Sequence, residues 1–297
     1  MNTQNLNLIK NIMDLANISQ EIREVLEIKR QELELTFIEE DHIYFMKDVD
    51  GKMRNNFPSV SKVIKNFYIP FDAESKALEM SGGNVTKQQA LLEQWKQAGE
   101  YSTNMGSRVH YMLETETIAR YGDYKDVREP IFDCDHSQIV KSDKMIVAGN
   151  KFLDLMVERN AVLLDTEMVL GDPELGYTGQ PDKIWLMMNK QQDGFGIVIT
   201  DWKTNQPKNF KVQPYTGRML PPFNNYHDTA LGHYFLQLPL YGKLLVKMLQ
   251  GTKFGDLKLL GCVVVLLKDD GTFEEYKVPY EVTQTILKLD IKKYMKK

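Results

Sequence analysis

A chain of 297 residues with 42% hydrophobic side chains, 26% charged side chains and a net charge of −4 has the composition of a soluble globular protein. It has no overall basicity, so a polyanionic substrate requires locally grouped cations or metal ions. No apolar run nears the roughly 18–20 residues of a membrane span, and the N-terminus lacks the basic-then-apolar pattern of a presequence, so a cytoplasmic location is expected. Only Cys134 and Cys262 occur, which argues against a disulfide framework, a four-cysteine zinc site or an iron–sulfur cluster.

The first element predicted is a helix over 5–32, an extension with apolar positions Leu6, Ile9, Ile12, Met13, Leu15, Ile18 and Ile22. A single domain over 33–297 follows. It opens with short strands at 33–38 and 42–47 and a turn at Asp50-Gly51. The segment PSVSKVIKNFY starts a helix at Pro58, with Ser59 or Ser61 near its N-terminus. Helices are expected at 73–99, 104–121 and 138–160, then strands at 162–170, 180–189 and 196–202. An irregular segment, 204–229, leads to a helix at 230–250, strands at 258–267 and 273–278, and a final helix. This order predicts an α/β domain with a helical part at about 58–160 and a strand-bearing core at about 161–280. Two stretches lack acids: Gly51 to Phe71, with Lys52, Arg54, Lys62 and Lys65, and Trp202 to His227, with Lys203, Lys208, Lys211 and Arg218. Each is either a solvated face or an anion-binding one.

The segment GYTGQPDKIWLMMNKQQDGFGIVITDWKTN reads as a hairpin of two apolar strands. Strand alternation puts Asp201 and Lys203 on one face with Trp202 on the other. A turn centred near Gln192 brings Asp182 and Asp201 side by side, where two carboxylates repel unless a cation lies between them. Mg²⁺ or Mn²⁺ resolves that conflict, with the Trp202 backbone carbonyl as a third ligand, and Lys203 faces the same space. The alternative is a capped hairpin end in which Lys203 pairs with an aspartate.

Pro181-Asp182 followed by Asp201-Trp202-Lys203 resembles the PD-(D/E)XK nuclease superfamily. Gly179-Gln180-Pro181-Asp182 and the ending DWKT resemble the branch containing the RecB nuclease domain and Cas4-like nucleases. That branch expects G-x-x-x-H-x-x-x-E upstream, matched by Gly106, His110 and Glu114. It expects Q-x-x-x-Y downstream, matched by Gln237 and Tyr241 with His233 on the same stripe, although Pro239 departs from a regular helix. FPSVSKVIKNFYIPFD and TKQQALLEQWKQAG resemble segments of phage-encoded Cas4-like exonucleases and of the mitochondrial genome maintenance exonuclease. The likeness covers about residues 34–280, on the side of the members without an iron–sulfur cluster.

The resemblance implies a restriction-endonuclease-like core, with a mixed central sheet flanked by helices. It assigns His110, Asp182 and Asp201 to one or two Mg²⁺ or Mn²⁺ ions, and Lys203 to the attacking water. Glu167, on the preceding strand, is either a further ligand or an edge carboxylate. Ser59, Ser61, Gln237 and Tyr241 would contact nucleic-acid backbone or ends. Lys208, Lys211 and Arg218, interleaved with Phe210, Tyr215, Phe223 and Tyr226, suit a single strand or else form an anchored loop. The implied activity is a DNA exonuclease preferring single strands, acting in replication, recombination or repair or in phage DNA processing. Its partners would be replication or recombination proteins, and a phage origin would place it in the bacterial host cytoplasm. A structure-selective endonuclease and a non-catalytic nucleic-acid-binding protein of the same fold are the alternatives.

Overall fold

The computed structural model describes residues 3–39, 41–121, 132–189, 191, 194–210, 212–213 and 216–295. Helix α1 (Thr3–Glu32) precedes a small antiparallel sheet of β1 (Thr36–Ile38), β2 (Ile43–Lys47) and β3 (Met53–Arg54). A short helix α2 (Val60–Val63) runs into a 3₁₀ turn at Ile64–Phe67. Asp72 starts α3 (Ala73–Met80) by accepting the Ser75 N–H, one of the donors a helix start leaves unpaired.

The break expected near residue 100 lies instead at residues 81–84, where Gly82 and Gly83 have φ of +62° and +80°. Beyond it, α4 runs without interruption over Val85–Tyr121. Gly99 lies inside it with open space where a Cβ would be, and an interior glycine costs only about 1 kcal/mol against alanine. Thirty-seven residues of helix absorb that cost. A reciprocal cap between Asp135 and Gln138 begins α5 (His136–Glu158).

The strand expected over 162–170 is divided. β4 (Val162–Thr166) ends at Glu167, whose φ is +50°, and β5 (Leu170–Asp172) then pairs with β6 (Tyr177–Gly179) as a separate hairpin. β7 (Lys183–Met188) and β8 (Phe195–Lys203) form the hairpin read from the sequence. Next come α6 (Ala230–Leu249), which continues through Pro239, then β9 (Leu259–Leu267), β10 (Phe273–Lys277) and α7 (Tyr280–Lys288).

The central sheet has the order β10-β9-β8-β7-β4. Only β8 and β9 pair in parallel, and α6 supplies the crossover such a pair requires. Alternation sends Ile184, Leu186, Ile197 and Ile199 to one face, where they pack with α1 (Leu15, Ile22, Leu26), α6 (Leu240, Leu244) and α7 (Val282, Ile286). Leu163, Trp185, Trp202, Val265 and Leu267 share the other face with α4 (Met105, Val109, Leu113) and α5 (Phe152, Leu153). Trp185 and Trp202 are fully buried there, each a large contribution to this layer. The two helices of that layer approach so closely that a Cβ on Gly149 would lie 2.4 Å from a Leu113 methyl. Among the described residues, no helix is long and apolar enough to cross a membrane.

Candidate metal centre

The β7–β8 register pairs Lys183 with Thr200 and Ile184 with Ile199, which sets Asp182 opposite Asp201 one step beyond the ladder. The contact between those two steps is specific: the Trp202 N–H donates to Asp182 Oδ2 at 2.6 Å. The Trp202 backbone thus meets this aspartate through its N–H. Both aspartates are buried, at 6% and 2% exposure, and burial of two adjacent carboxylates demands a compensating charge.

Three elements converge on this pair, two of them bringing basic groups and one a further carboxylate. From α4, His110 sits one residue past buried Val109, and its Nδ1 lies 3.5 Å from Asp182 Oδ2. From the end of β4, Glu167 turns through its left-handed backbone conformation, held by its N–H to the Asp182 carbonyl at 3.1 Å and by Gln180 Nε2 on its own carbonyl at 3.0 Å. One ligand atom each from His110, Glu167 and Asp182 then falls within 4.8 Å of the other two. A non-glycine residue in this conformation costs on the order of 1 kcal/mol, and such strain persists where the surroundings impose it. The third element is the end of β8, where Lys203 Nζ makes an ion pair with Asp201 Oδ2 and lies 4.7 Å from the centroid of the Tyr234 ring.

Asp201 is therefore adjacent to the three-residue cluster and outside it, with Lys203 as its partner. Glu167, which the sequence left between ligand and edge carboxylate, belongs to the cluster. An imidazole and two carboxylates make a nitrogen-and-oxygen donor set suited to Mn²⁺ or Mg²⁺. The electrostatics agree. Burial and then the charge of Asp182 push the Glu167 pKa well above the ordinary carboxylate range. Burial and Asp182 likewise raise Asp201, to about 6, against the opposing pull of Lys203. Burial works to raise Asp182 as well, but His110, Lys203 and Lys183 outweigh it and hold this carboxyl below its usual range. Desolvation disfavours charge on Lys203, yet Asp201 and Asp182 together raise its pKa and keep it an ammonium.

Behind the centre lies a residue that the sequence reading passed over. Lys183 is fully buried on the α4 face of the sheet. Its Nζ donates to Thr166 Oγ1 at 2.7 Å and to the Asp182 carbonyl at 3.1 Å, 5.7 Å from the Trp202 ring centroid. Thr166 Oγ1 donates to the same carbonyl at 3.0 Å. With the Glu167 N–H, three donors fix the backbone of Asp182. Alternation carried the signal, because Lys183 shares a face with Trp185 and a lysine there is necessarily enclosed.

The remaining expected residues divide. Ser59 is buried and bridges Thr178 beside the Gly179-Gln180-Pro181 lead-in, while Ser61 is exposed. Gln237 Nε2 donates to Tyr241 Oη at 2.7 Å. Tyr241 is only 4% exposed and packs where a Cβ on Gly179 would be, 2.5 Å from its ring, so it belongs to the core instead of offering a surface to nucleic acid. His233 shares its stripe but is engaged by Asp228 at 2.6 Å and stacked on Tyr68 at 3.7 Å. In the 204–229 segment, Phe210 and Phe223 are buried anchors and Tyr226 packs against the same core. Lys208 is exposed, and Arg218 donates to the Asn225 carbonyl at 2.8 Å, bracing the loop. Lys211 and Tyr215 lie outside the described residues.

A cleft of about 350 Å³ opens beside the cluster, with His110 and Lys203 in its wall. The α4 face from Tyr101 to Gly106 forms one side, and Thr204, Asn205 and Tyr234 form another. Scans against known family models and against curated proteins find no match to this chain.

Proposed function

We propose that this protein is a metal-dependent nuclease that hydrolyses phosphodiester bonds in DNA, with single-stranded ends as its preferred substrate. The observation that carries the reading is the convergence of His110, Glu167 and Asp182 beside the Asp201–Lys203 pair at the mouth of a cleft. The mixed sheet flanked by helices, and the PD…DWK pattern at its open end, support a restriction-endonuclease-like core.

His110, Glu167 and Asp182 would hold the ion, with Asp201 close enough to act on a second or on the water. Mg²⁺ or Mn²⁺ bound there supplies Lewis-acid polarisation of a phosphate and a nucleophile at neutral pH. Lys203 offers three donors, of which Asp201 takes one, and the rest face the cleft to orient the attacking water or a non-bridging phosphate oxygen. The Asp201 carboxylate keeps that ammonium charged and aimed. Thr166, Lys183 and the Glu167 N–H fix Asp182, so that ligand spacing does not depend on the substrate.

The test is a time course on 5′- and 3′-labelled single-stranded and duplex DNA with Mg²⁺, Mn²⁺ or EDTA, beside Asp182→Asn and Lys203→Ala. The expected outcome is metal-dependent trimming of single strands that Asp182→Asn abolishes and Lys203→Ala slows sharply. Cuts in a closed circle would move the activity to an endonuclease. Binding of DNA without cleavage by any form would replace the catalytic reading with a binding role.

A further inference from the structure

The nuclease reading places Lys203 at the cleft, but Asp201 neutralises it. A second lysine lines the same cleft from α5: Lys141. Its Nζ forms no ion pair with a carboxylate within 4.0 Å among the described residues. Instead it donates to Tyr101 Oη at 3.2 Å and lies 5.4 Å from the centroid of that ring. The Tyr101 hydroxyl is itself 3.4 Å from Ser137 Oγ, and the Tyr101 carbonyl accepts Gln138 Nε2 at 2.8 Å, so the aromatic support under the lysine is fixed to α5 at two points. The lining also holds the neutral polar Thr103, Thr204, Asn205 and Gln206 and the apolar Met105, Met145 and Trp202, and Asp269 is the one acid among the lining residues. A half-buried ammonium held by a neutral hydroxyl, among hydroxyls and amides, is a site for an anion with several acceptor oxygens.

From this arrangement we infer that Lys141, supported by Tyr101, is the phosphate-binding residue of the cleft and holds a nucleic-acid phosphate next to the one at the metal centre. The inference rests on the proposed nuclease function and assigns a residue that the acid-free stretches did not contain. Lys208 is exposed on the following 3₁₀ turn and Arg218 is spent on its own loop, whereas Lys141 faces the same enclosed space as His110 and Lys203. The phosphate has two possible sources, an internal phosphodiester or a terminal monophosphate, and both present the same oxygens to an ammonium.

Fluorescence anisotropy with a 12-nucleotide oligo-dT, read over a salt series with Ca²⁺ present, separates these. The oligonucleotide is used unphosphorylated, 5′-phosphorylated and 3′-phosphorylated. The proteins are the wild type, Lys141→Gln, Lys141→Arg and an exposed control on the far part of α4, Lys87→Gln. Loss of one phosphate contact to a single strand reduces the slope of log affinity against log salt by about 0.7. Lys141→Gln should show that reduction, Lys141→Arg should restore the slope, and Lys87→Gln should leave it unchanged. Equal weakening on all three oligonucleotides identifies an internal phosphodiester, and weakening confined to one phosphorylated end identifies a terminal phosphate. A wild-type slope in Lys141→Gln overturns the assignment while leaving the nuclease reading to its own cleavage test. Absence of oligonucleotide binding by the wild type overturns the phosphate site, and absence of metal-dependent cleavage as well removes the nuclease reading with it.

Discussion

Two places at the open end of the sheet treat buried charge in opposite ways. On the α4 face, Lys183 is completely enclosed, and its donors meet a hydroxyl and a backbone carbonyl. Beside it at the strand ends, three carboxylates, Glu167, Asp182 and Asp201, crowd the Lys203 ammonium and the imidazole that His110 brings from α4. The first arrangement bonds its charge within the protein. The second holds like charges together at a cost that only a cation removes. A fold that bonds one buried charge internally while leaving excess acid a few ångströms away concentrates its strain at the place to which the proposed function assigns the chemistry.

The sharpest way to break the contrast is to remove Lys203. Lys203→Ala should lower the cleavage rate by about 10²–10³-fold, the usual cost of losing a preorganised donor to developing charge, with circular dichroism retained and melting lowered because buried Asp201 loses its partner. Removing the enclosed lysine should act differently. Lys183→Met keeps the volume and deletes one of the three donors that fix Asp182, so Mn²⁺ affinity by titration calorimetry should fall, by about 10-fold. Equal metal affinity in Lys183→Met would reduce that residue to a packing role.

The third prediction concerns pH. The folded-state pKa of Asp201 is raised to about 6, and that of Glu167 is raised as well, so between the unfolded carboxylate range near pH 4 and about pH 6 the folded chain binds more protons than the unfolded one. Stability of the metal-free protein should therefore fall as pH rises through that window, by on the order of 2 kcal/mol. Bound metal should cancel the loss, so the gap between melting temperatures in Mn²⁺ and in EDTA should widen from pH 5 to pH 7. A constant gap would mean that these carboxylates do not sense the ion. Smaller effects test the scaffold. Gly149→Ala should cost about 1–3 kcal/mol in urea unfolding, because its methyl would overlap Leu113. Arg159→Ala, which removes a partly exposed bidentate pair with Glu275, should cost below about 1 kcal/mol.

Which features were legible in the chain follows from their physics. The register of the β7–β8 hairpin could be read because two apolar runs of alternating partners admit little slippage, and the Asp182–Asp201 adjacency followed from it. The continuity of α4 could not, since Ala98-Gly99-Glu100 resembles a helix end and only tertiary context shows that the glycine faces open space. Glu167 was legible as a carboxylate near the site but not as a member of the cluster, because a left-handed turn at glutamate leaves no mark in composition. Pairing was the other blind spot. That Lys203 takes Asp201 and Gln237 takes Tyr241 are choices among near neighbours, and that Lys141 takes a tyrosine is an outcome of packing between segments 40 residues apart.

One consequence concerns the unbroken α4. The contact of Leu113 with Gly149 fixes this helix in rotation, and His110 stands three residues before that anchor. One residue inserted between them would turn the imidazole by about 100° and carry it away from Asp182. A residue inserted before Tyr101 would leave His110 in place and turn only the earlier contacts of α4, those of Trp95 with Phe71 and Gln88 with Glu74. A single rod thus carries two registers, one set by Leu113 on Gly149 that aims His110 and one set by Trp95 on Phe71, and the cleft lies between them.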